Sequence, residues 1–186
     1  LKEIHEQPAV LEGIIKARLK REEVILDGIG LSEKQLRAVR GIVIIACGTA
    51  YHAGLVGKYA IERLAGIPVS VDAASEFRYR NPIVERSTLV VAISQSGETA
   101  DTLAAVREAK AKGAKVIAVC NAVGASLIRE SDGVLYTHAG SEIGVASTKA
   151  YVAQISMLYL LALKMGTYKE HVPLEERQQI IKDFKI

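Results

Sequence analysis

From Gly41 onward the chain is built from short, unbroken aliphatic runs: IVIIAC (42–47), PVSVDA (68–73), TLVVAIS (88–94), KVIAVC (115–120) and VLYT (134–137). Stretches of helical periodicity, about 52–64, 99–112 and 148–165, follow the first, third and fifth runs. A strand with a solvated face alternates apolar and polar residues. These runs do not, so both their faces must be covered, and helices are the elements at hand to cover them. The pattern predicts an α/β fold, a five-stranded parallel sheet flanked by helices in a Rossmann- or flavodoxin-like arrangement.

The flanks read differently. Before Gly41, Val10, Leu11, Ile14, Ile15 and Leu19 mark an amphipathic helix with Pro8 in its first turn, and Ser32-Glu33-Lys34-Gln35 is a capping-box pattern. Residues 1–40 are thus expected as a helical lead-in, 41–166 as the sheet domain and 167–186 as a further helix or linker. Gly66, Gly113 and Gly166 are placed to end helices. The chain opens on Leu1, which suggests a piece of something longer.

Of the 186 residues, 49% are hydrophobic and 24% charged, enough to bury one good core. The net charge is only +3 and no basic stripe is interleaved with aromatics, which sets nucleic acid aside. YVAQISMLYLLAL (151–163) is interrupted by Gln154 and Ser156 and followed by Lys164, too short and polar to span a membrane. No signal-peptide pattern opens the chain, and a cytoplasmic location is the expectation. Cys47 and Cys120 each close an aliphatic run and are read as reduced thiols, not a disulfide.

In an open parallel sheet, ligands bind outside the carboxyl ends of the strands, near the point where strand order reverses. The loops there are Cys47-Gly48-Thr49-Ala50, Ser94-Gln95-Ser96-Gly97-Glu98-Thr99, Asn121 to Gly124, and the long HAGSEIGVASTK (138–149). A helix beginning near Gly97 or Glu98 leaves its first N–H groups unpaired beside a partial positive charge, and an anion is stabilised there. Ser94, Ser96 and Thr99 supply hydroxyls and Gln95 an amide. The loop lacks the lysine of a triphosphate-binding loop, so a single phosphate ester fits better than a triphosphate with magnesium. The reading calls for neither metal nor cofactor. The same spacing also suits a helix capped by Ser96, with Glu98 and Asp101 complementing its dipole and no ligand at all. Among the other polar residues, Lys149 is expected along a helix surface and Arg78 and Arg80 in a solvated loop. His52 reads as an ordinary polar position and His138 as structural.

ACGTAYHAG, ASEFRYR, SQSGETADTL, CNAVGASLIRES and GSEIGVASTKA, in this order, resemble the first sugar-isomerase (SIS) half of the glucosamine-6-phosphate synthases, over roughly Gly41 to Met165. The resemblance implies that Ser94, Gln95, Ser96 and Thr99 hold the phosphate of fructose 6-phosphate or glucosamine 6-phosphate. It implies that Cys47, Gly48 and Thr49 line the sugar, with Val145 and Ser147 reaching it from the later loop. Ala50 departs from the serine frequent in that family. The resemblance further implies that the acid/base glutamate and active lysines come from a second SIS domain and C-terminal tail, and ammonia from a glutaminase domain. This chain is then expected to bind the sugar phosphate without turning it over. A homodimer is also expected, through the apolar side of Pro8–Leu19 together with 151–163. Two other classes compete: a ligand-sensing SIS module of a regulator, and a flavodoxin-like FMN carrier.

Overall fold

The computed structural model describes residues 1–21 and 23–184. The lead-in forms α1 (Lys2–His5), α2 (Gln7–Arg18), a small antiparallel hairpin of β1 (Leu19–Lys20) and β2 (Glu23–Val24), a 3-10 turn at Asp27–Ile29, and α3 (Glu33–Ala38). The predicted capping box is present at α3: the Ser32 hydroxyl accepts from Gln35 N–H, and the Gln35 side chain accepts from Ser32 N–H at 2.9 Å. There follow β3 (Gly41–Ala46), α4 (Thr49–Ala65), β4 (Val69–Ala73), α5 (Ala74–Phe77), β5 (Thr88–Ser94), α6 (Ala100–Ala111), β6 (Lys115–Cys120), α7 (Ser126–Glu130), β7 (Gly133–Tyr136), α8 (Lys149–Lys169) and α9 (Leu174–Asp183).

The five long-run strands form one parallel sheet in the order β4-β3-β5-β6-β7. Its two faces bury separate apolar layers. Leu89, Val91 and Ile93 of β5 point with Ile42, Ile44, Ile117 and Val119 towards α4, α8 and the lead-in. Val90 and Ala92 point the other way with Ile45, Val116 and Ala118, against Phe77, Val106 and Ala109. Apolar residues on both sides of β3, β5, β6 and β7 are why those runs show no alternation, whereas the edge strand β4 alternates, with Val69 and Val71 in the first layer and Ser70 and Asp72 on the other side. Each fully buried Val, Leu or Ile contributes about 1.5–3 kcal/mol by leaving water. Lead-in and tail join the same core, through Ile14, Leu26, Leu36, Val172 and Ile181.

Helix α8 is the interior helix of the first layer. Ala153, Met157, Leu158 and Leu161 have essentially no exposure, and α4 lies close because Gly57 offers no side chain where Leu158 sits. Among the described residues, no helix is long and apolar enough to cross a membrane. Two expectations are corrected here. Gly166 does not end α8: the helix runs on to Lys169 and stops at Glu170 in a left-handed conformation. Gly166 instead lets α8 pass the backbone of α4, since a Cβ would lie 2.4 Å from the Leu64 carbonyl oxygen. The 151–163 stretch is used up inside the chain, so it offers little apolar surface to a second copy, whereas the outer side of α2 lines an open groove with Phe184.

Candidate functional site

Strand order reverses between β3 and β5: the chain steps from β3 outward to β4, then returns to the other side for β5, β6 and β7. The crevice at that switch point holds a cleft of about 230 Å³. Its walls bring together Cys47 and Thr49 after β3, Ser94, Gln95, Ser96 and Thr99 after β5, and Val145 and Ser147 before α8. Gly48 is not among the lining residues. It caps the N-terminus of α4 with φ 58° and ψ −135°, a conformation glycine supplies readily, and so turns the chain between two residues that do line the cleft.

The Ser94–Thr99 turn is a self-braced structure. The Ser94 hydroxyl accepts from Gly97 N–H at 3.0 Å and lies 3.3 Å from the Thr99 hydroxyl, while Ser96 accepts from Glu98 N–H at 3.3 Å. Gly97 has φ 66°, and the carbonyls of Gly97 and Gln95 tie the turn to its neighbours: Leu127 N–H donates to Gly97 O, and Asn121 N–H and Ala122 N–H donate to Gln95 O. Helix α6 therefore starts at Ala100, a little later than expected, with Thr99 at its N-cap. The Thr99 side chain makes no capping bond, and the first intrahelical bond at this end runs from Leu103 N–H to Thr99 O. The amides of Ala100, Asp101 and Thr102 precede that bond, the arrangement that favours an anion.

Glu98 does not oppose an anion. Its carboxylate turns away to accept from Ser126 N–H at 2.7 Å, and this bond together with the Ser126 hydroxyl holds its carboxyl below the ordinary range. None of the described residues lining the cleft is Lys or Arg. Arg78 pairs with Asp101 at 2.8 Å and Arg80 with Asp72, away from the cleft. The helix starts facing it are those of α4, through Thr49 and Ala50, and of α6, through its N-cap Thr99 and Thr102, and their dipoles supply the positive field. The start of α8 is already occupied: Glu142 accepts from the Ser147 hydroxyl and Thr148 N–H, both at 2.8 Å, and from Ala150 N–H at 3.3 Å. Burial alone would push Glu142 up, but these donors outweigh it and hold the carboxyl below its ordinary value.

Sequence reasoning missed Thr102, Gln154 and Glu142 as lining residues. Thr102 is buried one helical turn beyond Thr99, and its hydroxyl lies 3.9 Å from Cys47 Sγ; the spacing of three was a readable signal. Gln154 is 2% exposed and its Oε1 has no hydrogen-bond partner among protein groups. Its presence in an apolar stretch was visible but was weighed only against a membrane span. Ala50 also lines the cleft and offers a methyl where the resembling family often has a hydroxyl. Lys149 corrects an expectation. It is 5% exposed, not on the surface, and pairs with Glu6 at 2.5 Å because α2 packs across the start of α8. His52 is exposed on α4 with its ring edge-on to Tyr51, and His138, at φ 49°, stacks on Tyr136. Both cysteines are free thiols, and burial pushes Cys120 up.

A larger hollow of about 600 Å³ lies under α2, lined by Val10, Ile14 and Ala17 with the Glu6–Lys149 pair among its polar groups. It has no cluster of hydroxyls, so its size does not outweigh the chemistry of the smaller cleft.

A parallel sheet with hydroxyl-rich loops at its switch point is the arrangement of a ligand-binding α/β domain, and the SIS domain family matches residues 35–164. The chain belongs to the SIS family. It is 58% identical over 97% of its length to a glutamine–fructose-6-phosphate aminotransferase (isomerizing) of Clostridium tetani, and 54% identical over its whole length to the enzyme so named in Caldanaerobacter subterraneus subsp. tengcongensis. It covers 30% and 31% of those proteins, so it spans about three tenths of the relatives it matches. Among solved structures, the C-terminal domain of glucosamine-fructose-6-phosphate aminotransferase from Francisella tularensis superposes with a TM-score of 0.92 at 41% identity, over 99% of this chain and 51% of that one. A phosphosugar isomerase structure from Clostridium difficile 630 shares the fold at a TM-score of 0.83 and 24% identity.

Proposed function

We propose that this chain is the phosphosugar-binding SIS half of an isomerizing glutamine:fructose-6-phosphate aminotransferase, the enzyme class that makes glucosamine 6-phosphate from fructose 6-phosphate and glutamine. The observation that carries the reading is convergence: loops from three separate sheet ends deliver hydroxyls, amides and two helix N-termini to one cleft. In this reading Ser94, Gln95, Ser96 and Thr99 seat the phosphate, helped by the amides that open α6. Cys47 and Thr49 face the sugar from one side, with Gly48 turning the chain between them, and Val145 and Ser147 from the other.

Moving a proton between C1 and C2 of the sugar needs a free base. Glu142 is the carboxylate lining the cleft, and its oxygens are taken by three donors that keep it ionised and committed. In this reading binding and orientation belong to this chain, and proton transfer and amine supply fall to the second SIS domain and glutaminase domain that the resemblance implies. Residues 41–166 form the SIS module proper in this assignment, with 1–40 and 167–186 as flanking segments. A homodimer and a cytoplasmic location complete the proposal, the dimer resting on the outer side of α2.

Calorimetric titration with fructose 6-phosphate, glucosamine 6-phosphate and unphosphorylated fructose tests it. Saturable heat is expected for the two phosphorylated sugars, lost in a Ser96→Ala/Thr99→Ala double variant. An equal response to fructose removes the phosphate role from this turn.

A further inference from the structure

The later sugar-facing loop, which carries Val145 and Ser147, has no regular structure between Thr137 and Thr148, and Ile143 and Val145 stand out into solvent. Beyond the buried Ala139, the shape of residues 140–146 does not come from burying their own side chains. Asn121 pins the loop's first residues, donating to Gly140 O and accepting from Ala139 N–H, and two carboxylates hold the part that carries Val145 and Ser147. From within, Glu142 binds the Ser147 hydroxyl and the amides that open α8. From outside, Glu3 of α1 accepts from Ile143 N–H at 2.7 Å through Oε1 and from Gly144 N–H at 3.2 Å through Oε2. The fit at Gly144 is close: a Cβ there would lie 2.7 Å from Glu3 Oε2. One helical turn further on, Glu6 pairs with the buried Lys149 at 2.5 Å and anchors the same segment to the start of α8. Both contacts join parts of the chain more than 130 residues apart.

We infer that Glu3 is a positioning residue for sugar recognition: through the Ile143 and Gly144 amides it sets the loop that presents Val145 and Ser147 to the phosphosugar. The inference rests on the proposed function of the cleft. Glu3 touches no ligand. It acts by removing conformational freedom that binding would otherwise have to remove. The phosphate seat at 94–99 is braced by the backbone amides of Asn121, Ala122 and Leu127, and Glu3 bonds none of them, so loss of Glu3 should separate sugar recognition from phosphate recognition.

The test compares the chain with its Glu3→Ala and Glu3→Gln variants by titration with glucosamine 6-phosphate and with inorganic phosphate. Hydrogen exchange at Ile143 and Gly144 is followed without ligand. Charge-assisted bonds to two amides correspond to roughly a tenfold change in affinity. Glu3→Ala is expected to weaken glucosamine 6-phosphate by about that factor, leave inorganic phosphate unchanged and speed exchange of the two amides. Glu3→Gln, which keeps one acceptor, should recover part of both effects. Unchanged glucosamine 6-phosphate affinity in Glu3→Ala overturns the inference, and so does equal loss of both ligands, which would mean a damaged fold. If the parent chain binds no phosphosugar, the reading of the cleft fails; unaltered amide exchange in Glu3→Ala fails the clamp itself.

Discussion

Gly97 shows how tightly single positions at the cleft are determined. Its φ of 66° disfavours a side chain, and a Cβ built there would lie 2.6 Å from Ala125 Cβ and 2.8 Å from Cys120 Sγ. Gly97→Ala is expected to cost roughly 1–3 kcal/mol of stability, read as a lower urea midpoint. It should also weaken phosphosugar binding, because the turn it strains carries the proposed phosphate ligands. The two thiols offer a second residue-level test. Cys120 is buried with its thiol pushed up by burial, whereas Cys47 lines the cleft half-exposed. Since the thiolate is the reactive form, iodoacetamide should label Cys47 and spare Cys120, and glucosamine 6-phosphate should slow the labelling. Labelling of Cys47 at the same rate with saturating ligand would place the sugar elsewhere.

At the scale of elements, two helical glycines with opposite surroundings separate propensity from packing. Gly13 in α2 has open space where a Cβ would go, so Gly13→Ala is expected to stabilise by up to about 1 kcal/mol, the helix-propensity difference. At Gly166 the same gain is opposed by contact with the Leu64 carbonyl, backbone that cannot turn aside. Overpacking costs about 1–3 kcal/mol, so Gly166→Ala should destabilise. Paired thermal melts check both signs. The five strands and the long helices were legible because an aliphatic run or an i, i+3, i+4 stripe reports local backbone geometry. The short pieces were not: the 19–24 hairpin, α5 and α7 are too brief to show a period. The end of α8 was misplaced because Gly166 looks like a terminator until α4 is seen beside it.

For the whole molecule, five carboxyls among the described residues, Glu6, Glu12, Glu98, Asp132 and Glu142, sit below their ordinary values in the folded state. Each is lower when folded than unfolded, so its contribution is fully present above the ordinary carboxylate range and is lost as pH falls through the folded value. Stability should thus hold steady from neutrality to about pH 5 and decline below about pH 4.5, the ordinary Glu value. Urea midpoints across that range check it, and a Glu142→Gln variant should show a shallower decline. The sequence alone determined the layered α/β class, the strand-end address of the site and the residues after β3 and β5 that meet there. It could do so because side-chain periodicity and turn chemistry act between near neighbours along the chain. Tertiary structure alone decided that Gln154 and Glu142 complete the cleft, that Lys149 is buried against Glu6, and that Glu3 reaches the loop at Gly144. Those contacts depend on how helices pack across the sheet, and no pattern local to either partner records the other.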